Sequence, residues 1–103
     1  MDYKVEWSSK AVSDLTEHVL FLRKVSKDAS SALSADIVAV GLSLSSFPER
    51  FPEFPMPSNF PIAIRKCVVN GRYIILYGIV NTSVMIYRIL DARKKFDGLV
   101  FLI

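Results

Sequence analysis

The last forty residues of the chain constrain its fold most, because strand-forming segments alternate there with turn-forming residues. An Asn70-Gly71 pair separates Ile64–Val69 from Tyr73–Val80, and both residues of the pair tolerate the positive φ that a tight hairpin turn requires. A third apolar segment, Val84–Leu90, follows after a short polar interruption. The spacing predicts three consecutive strands paired in an antiparallel manner.

The length of each turn decides which side chains share a face of this predicted sheet. Two-residue turns at Asn70-Gly71 and Asn81-Thr82 would place Lys66 and Arg88 on either side of Ile75 in neighbouring strands. Side chains alternate between the two faces along each strand. The predicted core face carries Cys67, Val69, Ile74, Leu76, Met85, Tyr87 and Ile89. The predicted outer face carries Lys66, Val68, Tyr73, Ile75, Tyr77, Ile86 and Arg88.

Cations are concentrated in the same part of the chain. Between Ile62 and Phe96, Asp91 is the only acid, against seven lysine and arginine residues. A face that mixes these cations with tyrosine rings is suited to nucleic acid, through phosphate contacts and stacking, or to an acidic peptide. The alternative is a solvated sheet face without a partner, since charged side chains are common on exposed surfaces.

The first half of the chain has the pattern of a short strand followed by two helices. Tyr3, Val5 and Trp7 alternate with charged residues, which is typical of a half-buried strand. Ser8 or Ser9 can then cap a helix within 10–25, where apolar residues recur at spacings of three and four. A second such pattern covers about 28–47. We therefore predict an α+β fold over residues 1–103, with two antiparallel N-terminal helices packed on a twisted, mainly antiparallel β-sheet.

The second predicted helix is apolar on both sides. Its inner stripe consists of Ala29, Leu33, Ile37, Val40, Leu44 and Phe47. Its opposite arc consists of Ala35, Val38, Ala39 and Leu42 and carries no charge. An apolar arc that points away from the sheet predicts a protein partner. The alternative is a weakly apolar face of alanine and serine that stays exposed.

The remaining segments exclude several classes of chemistry. All five prolines fall within 48–61, which predicts an ordered connector that is neither helix nor central strand. Metal-ligand clusters, glycine-rich phosphate loops and a Ser/His/Asp set are not apparent, so neither a metal nor a cofactor is expected. His18 is expected to be a packed or surface residue, and Cys67 a small buried one. Without a signal-peptide or membrane-span pattern, the expected location is the cytoplasm.

Taken in order, several segments of the chain resemble one family. They are Val5–Ser8, a first helix with Asp14-Leu15, Phe47–Pro52, Ile64–Lys66, Tyr73–Tyr77 and Arg88–Lys95. This order and spacing are similar to those of the RelE/ParE toxins of bacterial type II toxin–antitoxin systems. The resemblance implies a toxin that assembles with a cognate antitoxin protein, which wraps around it and neutralises it.

The resemblance also assigns roles to the two surfaces described above. It implies an antitoxin-binding surface at Ala35, Val38, Ala39 and Leu42. It implies a target-binding surface at Arg65, Lys66, Tyr73, Tyr77, Arg88, Arg93, Lys94, Lys95 and Phe101. The family divides by target, because RelE-like members cleave mRNA on the ribosome whereas ParE-like members inhibit DNA gyrase.

Two departures from the RelE-like pattern favour the ParE-like branch. Ile74 stands where the resemblance leads us to expect a catalytic arginine, and residues 96–103 contain neither tyrosine nor histidine. If the chain were nevertheless a ribosome-dependent endoribonuclease, Lys66, Arg88 and Arg93 would hold the scissile phosphate. A non-toxic orphan interaction module is the second alternative.

Overall fold

A computed structural model describes residues 2–94 of the chain. Within this range two helices lie against a five-stranded mixed sheet, which confirms the predicted α+β fold. The helices are α1 (Ser9–Arg23) and α2 (Lys27–Ser43), and the strands are β1 (Lys4–Trp7), β2 (Glu53–Phe54), β3 (Ile64–Val69), β4 (Tyr73–Val80) and β5 (Ser83–Asp91). The strand order is β1-β5-β4-β3-β2. β1 runs parallel to β5, and the other neighbours are antiparallel.

Serine side chains begin both helices, because the first amides of a helix have no intrahelical acceptor. The Ser8 hydroxyl accepts a hydrogen bond from the Ala11 amide at 3.0 Å and donates one to the Tyr87 carbonyl at 2.7 Å. It therefore ties the start of α1 to β5. At the start of α2, the Ser26 hydroxyl accepts from the Ala29 amide at 3.1 Å.

Helix α2 ends earlier than its apolar pattern predicts. Ser43 is its last residue, and Phe47 has a left-handed backbone with φ of 48° and a side chain that is 79% exposed. Arg50 donates hydrogen bonds to the Ser43, Ser46 and Phe47 carbonyl oxygens at 2.6–3.3 Å, which satisfies acceptors at the end of the helix. The prediction that Phe47 belongs to the inner stripe of the helix is wrong.

The first hairpin turn contains three residues, whereas two were predicted. Val69 pairs with Tyr73 and Cys67 with Ile75, and both Asn70 and Gly71 have positive φ. One extra turn residue moves every β4 side chain to the face opposite the predicted one. Tyr73, Ile75 and Tyr77 therefore face the helices.

The second hairpin follows the predicted register only for its first half. Ile79 pairs with Val84 and Tyr77 with Ile86, as predicted, but the register then shifts and Leu76 pairs with Arg88. Such a β-bulge leaves one residue of β5 without a partner on β4. Beyond it, side chains lie on the face opposite to the one that regular alternation along the strand would give. Ile89 consequently joins the helix-facing core, whereas Tyr87 packs on the opposite face.

Apolar side chains cover both faces of the sheet. The larger cluster joins Leu33 and Ile37 of α2, and Leu44 directly after it, to the helix-facing residues of the sheet, including Cys67. On the opposite face Ile64, Ile74, Leu76 and Leu90 form a second cluster, against which Phe54, Met56, Phe60 and Ile62 pack. The proline-rich segment is thus an ordered connector, as predicted, although Pro48–Arg50 form a short 3-10 helix that was not predicted. Cys67 is 2% exposed, and burial raises the pKa of its thiol.

Candidate functional site

An open groove runs between α1 and α2 on the side of the helices away from the sheet. Its volume is about 690 Å³. Val38 and Leu42 contribute side chains that are 40% and 61% exposed, and Ala35 and Ala39 between them are also exposed. The four outer-arc residues therefore share one accessible surface, with Val19 of α1 on the opposite wall. Their role in antitoxin binding stays a prediction.

The groove combines this apolar floor with positive charge. Arg23 near the end of α1 and Lys27 at the start of α2 both line it, and its other described lining residues are uncharged. An apolar surface flanked by cations suits an amphipathic segment that carries acidic residues. The sequence pattern located the α2 side of this groove but missed Arg23 and Lys27, because only the helical hairpin brings them beside it.

The structure does not place the two predicted target-binding tyrosines on an exposed face. Tyr73 is 4% exposed and Tyr77 is fully buried, since the three-residue turn directs both rings toward the helices. The Tyr77 hydroxyl donates a hydrogen bond to the Pro48 carbonyl at 2.6 Å. Burial is the main reason why the pKa of Tyr77 is raised to about 12. The predicted exposure of these rings is wrong.

Arg65 lies against the proline-rich segment. Its guanidinium donates to the Glu49 and Phe51 carbonyl oxygens at 3.0 and 2.7 Å, and it lies 3.9 Å from the Glu53 carboxylate. Its side chain is 21% exposed. These contacts hold the connector to β3 and direct the Arg65 guanidinium toward the connector.

Lys66 and Arg88 do not form one cationic surface. The Arg88 guanidinium makes two hydrogen bonds to the Asp14 carboxylate of α1, at 2.6 and 2.9 Å, and these raise the pKa of Arg88. The same carboxylate accepts the Ile89 amide at 3.0 Å. Lys66 lies opposite Leu76, whose side chain belongs to the cluster on the face away from the helices. The register places Lys66 and Arg88 on either side of Leu76 and not of Ile75. The predicted aromatic face between them is wrong, because Tyr73 and Tyr77 face the helices and Asp14 engages the Arg88 guanidinium.

A basic cluster does form where β5 ends beside the β3–β4 turn. The buried Asp91 carboxylate lies 3.7 Å from the Arg72 guanidinium and 3.1 Å from that of Arg93. The Arg93 hydrogen bonds, assisted by the nearby Arg72 charge and partly opposed by burial, hold the pKa of Asp91 at about 2. Lys94 lies alongside, with its ammonium 6.0 Å from the centre of the Phe21 ring.

Sequence reasoning identified Arg93 and Lys94 in this cluster but missed Arg72, Asp91 and Phe21. The available signal was the isolation of Asp91 as the only acid between residues 62 and 96. The predicted target-binding residues Lys95 and Phe101 lie outside the described residues.

Over residues 2–94, no helix has the length and apolar character to cross a membrane. The same residues contain no group of potential metal ligands.

Comparison with known proteins places the chain in a family. The model of a family described as the ParE toxin of the type II toxin–antitoxin system parDE matches residues 5–96. The chain therefore belongs to the ParE toxin family of type II toxin–antitoxin systems, and the predicted ParE-like branch is confirmed.

A solved structure shares the fold. It is described as the chromosomal ParDE toxin–antitoxin system from P. aeruginosa, and it superposes with a TM-score of 0.68. The sequences are 18% identical, and the alignment covers 86% of this chain and 95% of that one. A search of curated proteins finds no match.

Proposed function

We propose that this ParE-like toxin arrests growth by binding DNA gyrase in the cytoplasm, and that a cognate antitoxin neutralises it in a toxin–antitoxin hetero-oligomer. The observation that carries the proposal is the ParE family match over residues 5–96. The arrangement of the cations supports a toxin that acts by binding its target and not by cleaving RNA.

The residues that a nuclease would need are dispersed. Arg88 is engaged with Asp14 of α1, and Leu76 of β4 separates it from Lys66 of β3. Ile74, at the position of the expected catalytic arginine, is 9% exposed and packs in the cluster away from the helices. Phosphodiester cleavage needs charge stabilisation and proton transfer to converge on one phosphate. This separation supports a binding toxin over the endoribonuclease alternative.

The groove between α1 and α2 is the proposed docking site for the antitoxin. Its exposed aliphatic side chains, with Arg23 and Lys27 beside them, complement an amphipathic helix or strand that carries acidic residues. Apolar anchors in such a groove supply affinity, and charges at its rim contribute mainly to association rate and specificity.

The target is tested with purified toxin and purified gyrase in a DNA supercoiling assay. We expect the toxin to inhibit supercoiling and a stoichiometric amount of antitoxin to restore it. Primer extension on translated messages from induced cells provides the contrasting measurement. Codon-spaced cuts together with uninhibited gyrase would replace the proposal with the endoribonuclease alternative.

The groove is tested with two valines that are both 40% exposed. Val38→Glu places a charge within the groove, whereas Val80→Glu places the same charge at the end of β4, away from it. With the protein of the adjacent open reading frame as the candidate antitoxin, we expect Val38→Glu to weaken binding at least tenfold. Val80→Glu should bind as the wild type does. Equal affinities for both variants would refute the groove as the antitoxin site.

A further inference from the structure

Two arginines share a single buried carboxylate at the end of the sheet. The side chain of Asp91 is 3% exposed, whereas those of Arg72 and Arg93 are 29% and 60% exposed. One negative charge therefore faces two positive charges, and both cations reach the surface. A site with one excess positive charge and a fixed geometry is suited to a single anionic group.

Both arginines retain donor groups that Asp91 does not use. Arg93 directs Nε and one terminal nitrogen to Asp91, at 3.2 and 3.1 Å, and a guanidinium has further N–H groups beyond these. The Nε of Arg72 is buried and has no hydrogen-bond partner among the described residues. An incoming carboxylate cannot reach this buried atom, so the exposed part of the Arg72 side chain and the unused donors of Arg93 are what a carboxylate can contact.

The surroundings hold Arg72 in place. Its guanidinium carbon lies 4.9 Å from the centre of the Tyr73 ring. The Tyr73 ring in turn lies 5.1 Å from the ring of His18, which donates its Nε2–H to the Ile89 carbonyl at 2.9 Å. Since these groups are already ordered, a ligand would not have to immobilise the arginine, and the entropic cost of binding falls.

A cavity of about 220 Å³ opens beside this platform, between α1 and the strand ends. Its titratable and charged lining residues are Glu17, His18, Arg72, Tyr73, Asp91 and Lys94, and Phe21 completes it. The cavity is smaller than the roughly 300–1,000 Å³ that small-molecule sites occupy, which fits the side chain of a protein partner. Phe21 is 61% exposed and supplies apolar contact area next to the cations.

The charges of the lining favour a single acidic side chain of a protein over nucleic acid. Glu17 and Asp91 face the cavity together with the cations, and their negative charges would repel a continuous row of phosphates. Affinity for nucleic acid comes from neutralising many phosphates at once. An acidic side chain flanked by an apolar one would instead satisfy the arginines and cover Phe21.

We infer that Arg72 and Arg93 bind an acidic side chain of the target protein and that Phe21 packs against an apolar neighbour of that side chain. Asp91 is the positioning residue for both arginines. The inference rests on the proposed function, because it assigns the target contact of a toxin that acts by binding. It moves that contact from the sheet face to the end of β5.

The experiment measures binding of the full chain to purified gyrase without DNA, over a series of salt concentrations. We expect Arg72→Ala and Arg93→Ala each to weaken binding at least tenfold and to flatten its salt dependence, since each removes a charge contact. Lys10→Ala, which removes an exposed charge elsewhere, should match the wild type. Antitoxin affinity, measured in parallel, reports whether each variant is folded.

Asp91→Asn separates a positioning role from a purely structural one. The asparagine retains an oxygen that can accept the Arg93 amide, a bond of 3.0 Å in the structure, but it loses the charge. We expect weaker gyrase binding by the folded variant with antitoxin affinity unchanged, and partial recovery in Asp91→Glu. Equal loss of both affinities would overturn the positioning role.

Failure of the inference is distinguishable from failure of the proposed function. If the wild type inhibits gyrase and the folded arginine variants inhibit equally well, the cluster is not the target contact. If binding requires DNA, the assignment to an acidic side chain is wrong. If the wild type arrests growth without inhibiting gyrase, and the arginine variants do not arrest growth, the cluster stands and gyrase is the wrong target. A wild type that arrests nothing overturns both.

Discussion

We expect replacement of Asp91 by asparagine to lower the stability of the folded chain at neutral pH, because the ionised carboxylate lies beside two arginines. Hydrogen bonds from Arg93, with the Arg72 charge, hold the pKa of Asp91 at about 2, against an ordinary value of 3.8. The carboxylate is buried, whereas the Arg93 side chain is 60% exposed, so solvent screens part of this interaction and the contribution derived below is an upper value. Ionised Asp91 therefore stabilises the folded chain relative to the unfolded one.

The size and the pH range of this contribution follow from proton linkage. A depressed pKa in the folded state means that the unfolded state binds the proton more tightly, so stability falls as pH falls. At about 1.4 kcal/mol per pKa unit, the contribution is about 2 kcal/mol above pH ~5. It decreases through the interval between the unfolded and folded pKa values, and about half of it is gone at pH ~3.

Urea denaturation of the wild type and of Asp91→Asn, followed by circular dichroism between pH ~7 and ~2.5, measures this contribution. We expect the difference in free energy of unfolding to shrink by about 1–2 kcal/mol as the pH falls. Because all other carboxylates are common to both proteins, their titration cancels in the difference. A difference that stays constant over this range would refute the ionic role of Asp91.

Two further predictions concern the packing that holds the site. A Cβ atom at position 41 would lie 2.8 Å from the Trp7 ring. We therefore expect Gly41→Ala to destabilise the protein by about 1–2 kcal/mol in thermal denaturation, because the overpacking outweighs the better helix propensity of alanine. Unchanged or raised stability would contradict this packing. Tyr77→Phe should lower the free energy of unfolding by about 1–3 kcal/mol, because the buried Pro48 carbonyl loses its donor. A Tm equal to that of the wild type would show that this carbonyl finds another donor.

Local signals in the sequence predicted most of the elements. Ser8 is a candidate cap in the sequence and does cap α1. The predicted two-residue turn at Asn81-Thr82 is confirmed by the pairing of Val80 with Ser83. The family model confirms the resemblance to ParE-like toxins. The two-residue strand β2 was not predicted, because so short an edge strand within a proline-rich segment leaves no periodic pattern.

The site was predicted less completely because its residues come from distant segments. Arg93 was selected, but its neighbour Arg72 precedes β4, and Phe21 belongs to α1. Similarly, no local pattern indicates that Asp14 of α1 pairs with Arg88 of β5. A charged side chain shows its role only together with its partner, and the partners lie 19 positions apart in the Arg72–Asp91 pair and 74 apart in the Arg88–Asp14 pair.

The sequence by itself determined where the helices and the hairpin strands lie and that the outer arc of α2 is apolar, because hydrophobic period, capping residues and positive-φ turn residues act over a few positions. Only the tertiary structure decided which face of β4 meets the helices. Tyr73 to Tyr77 are apolar or aromatic at every position, so a strand buried on both sides carries no alternation to fix its orientation. One extra turn residue and one bulge set that orientation, and with it which cations remain at the surface.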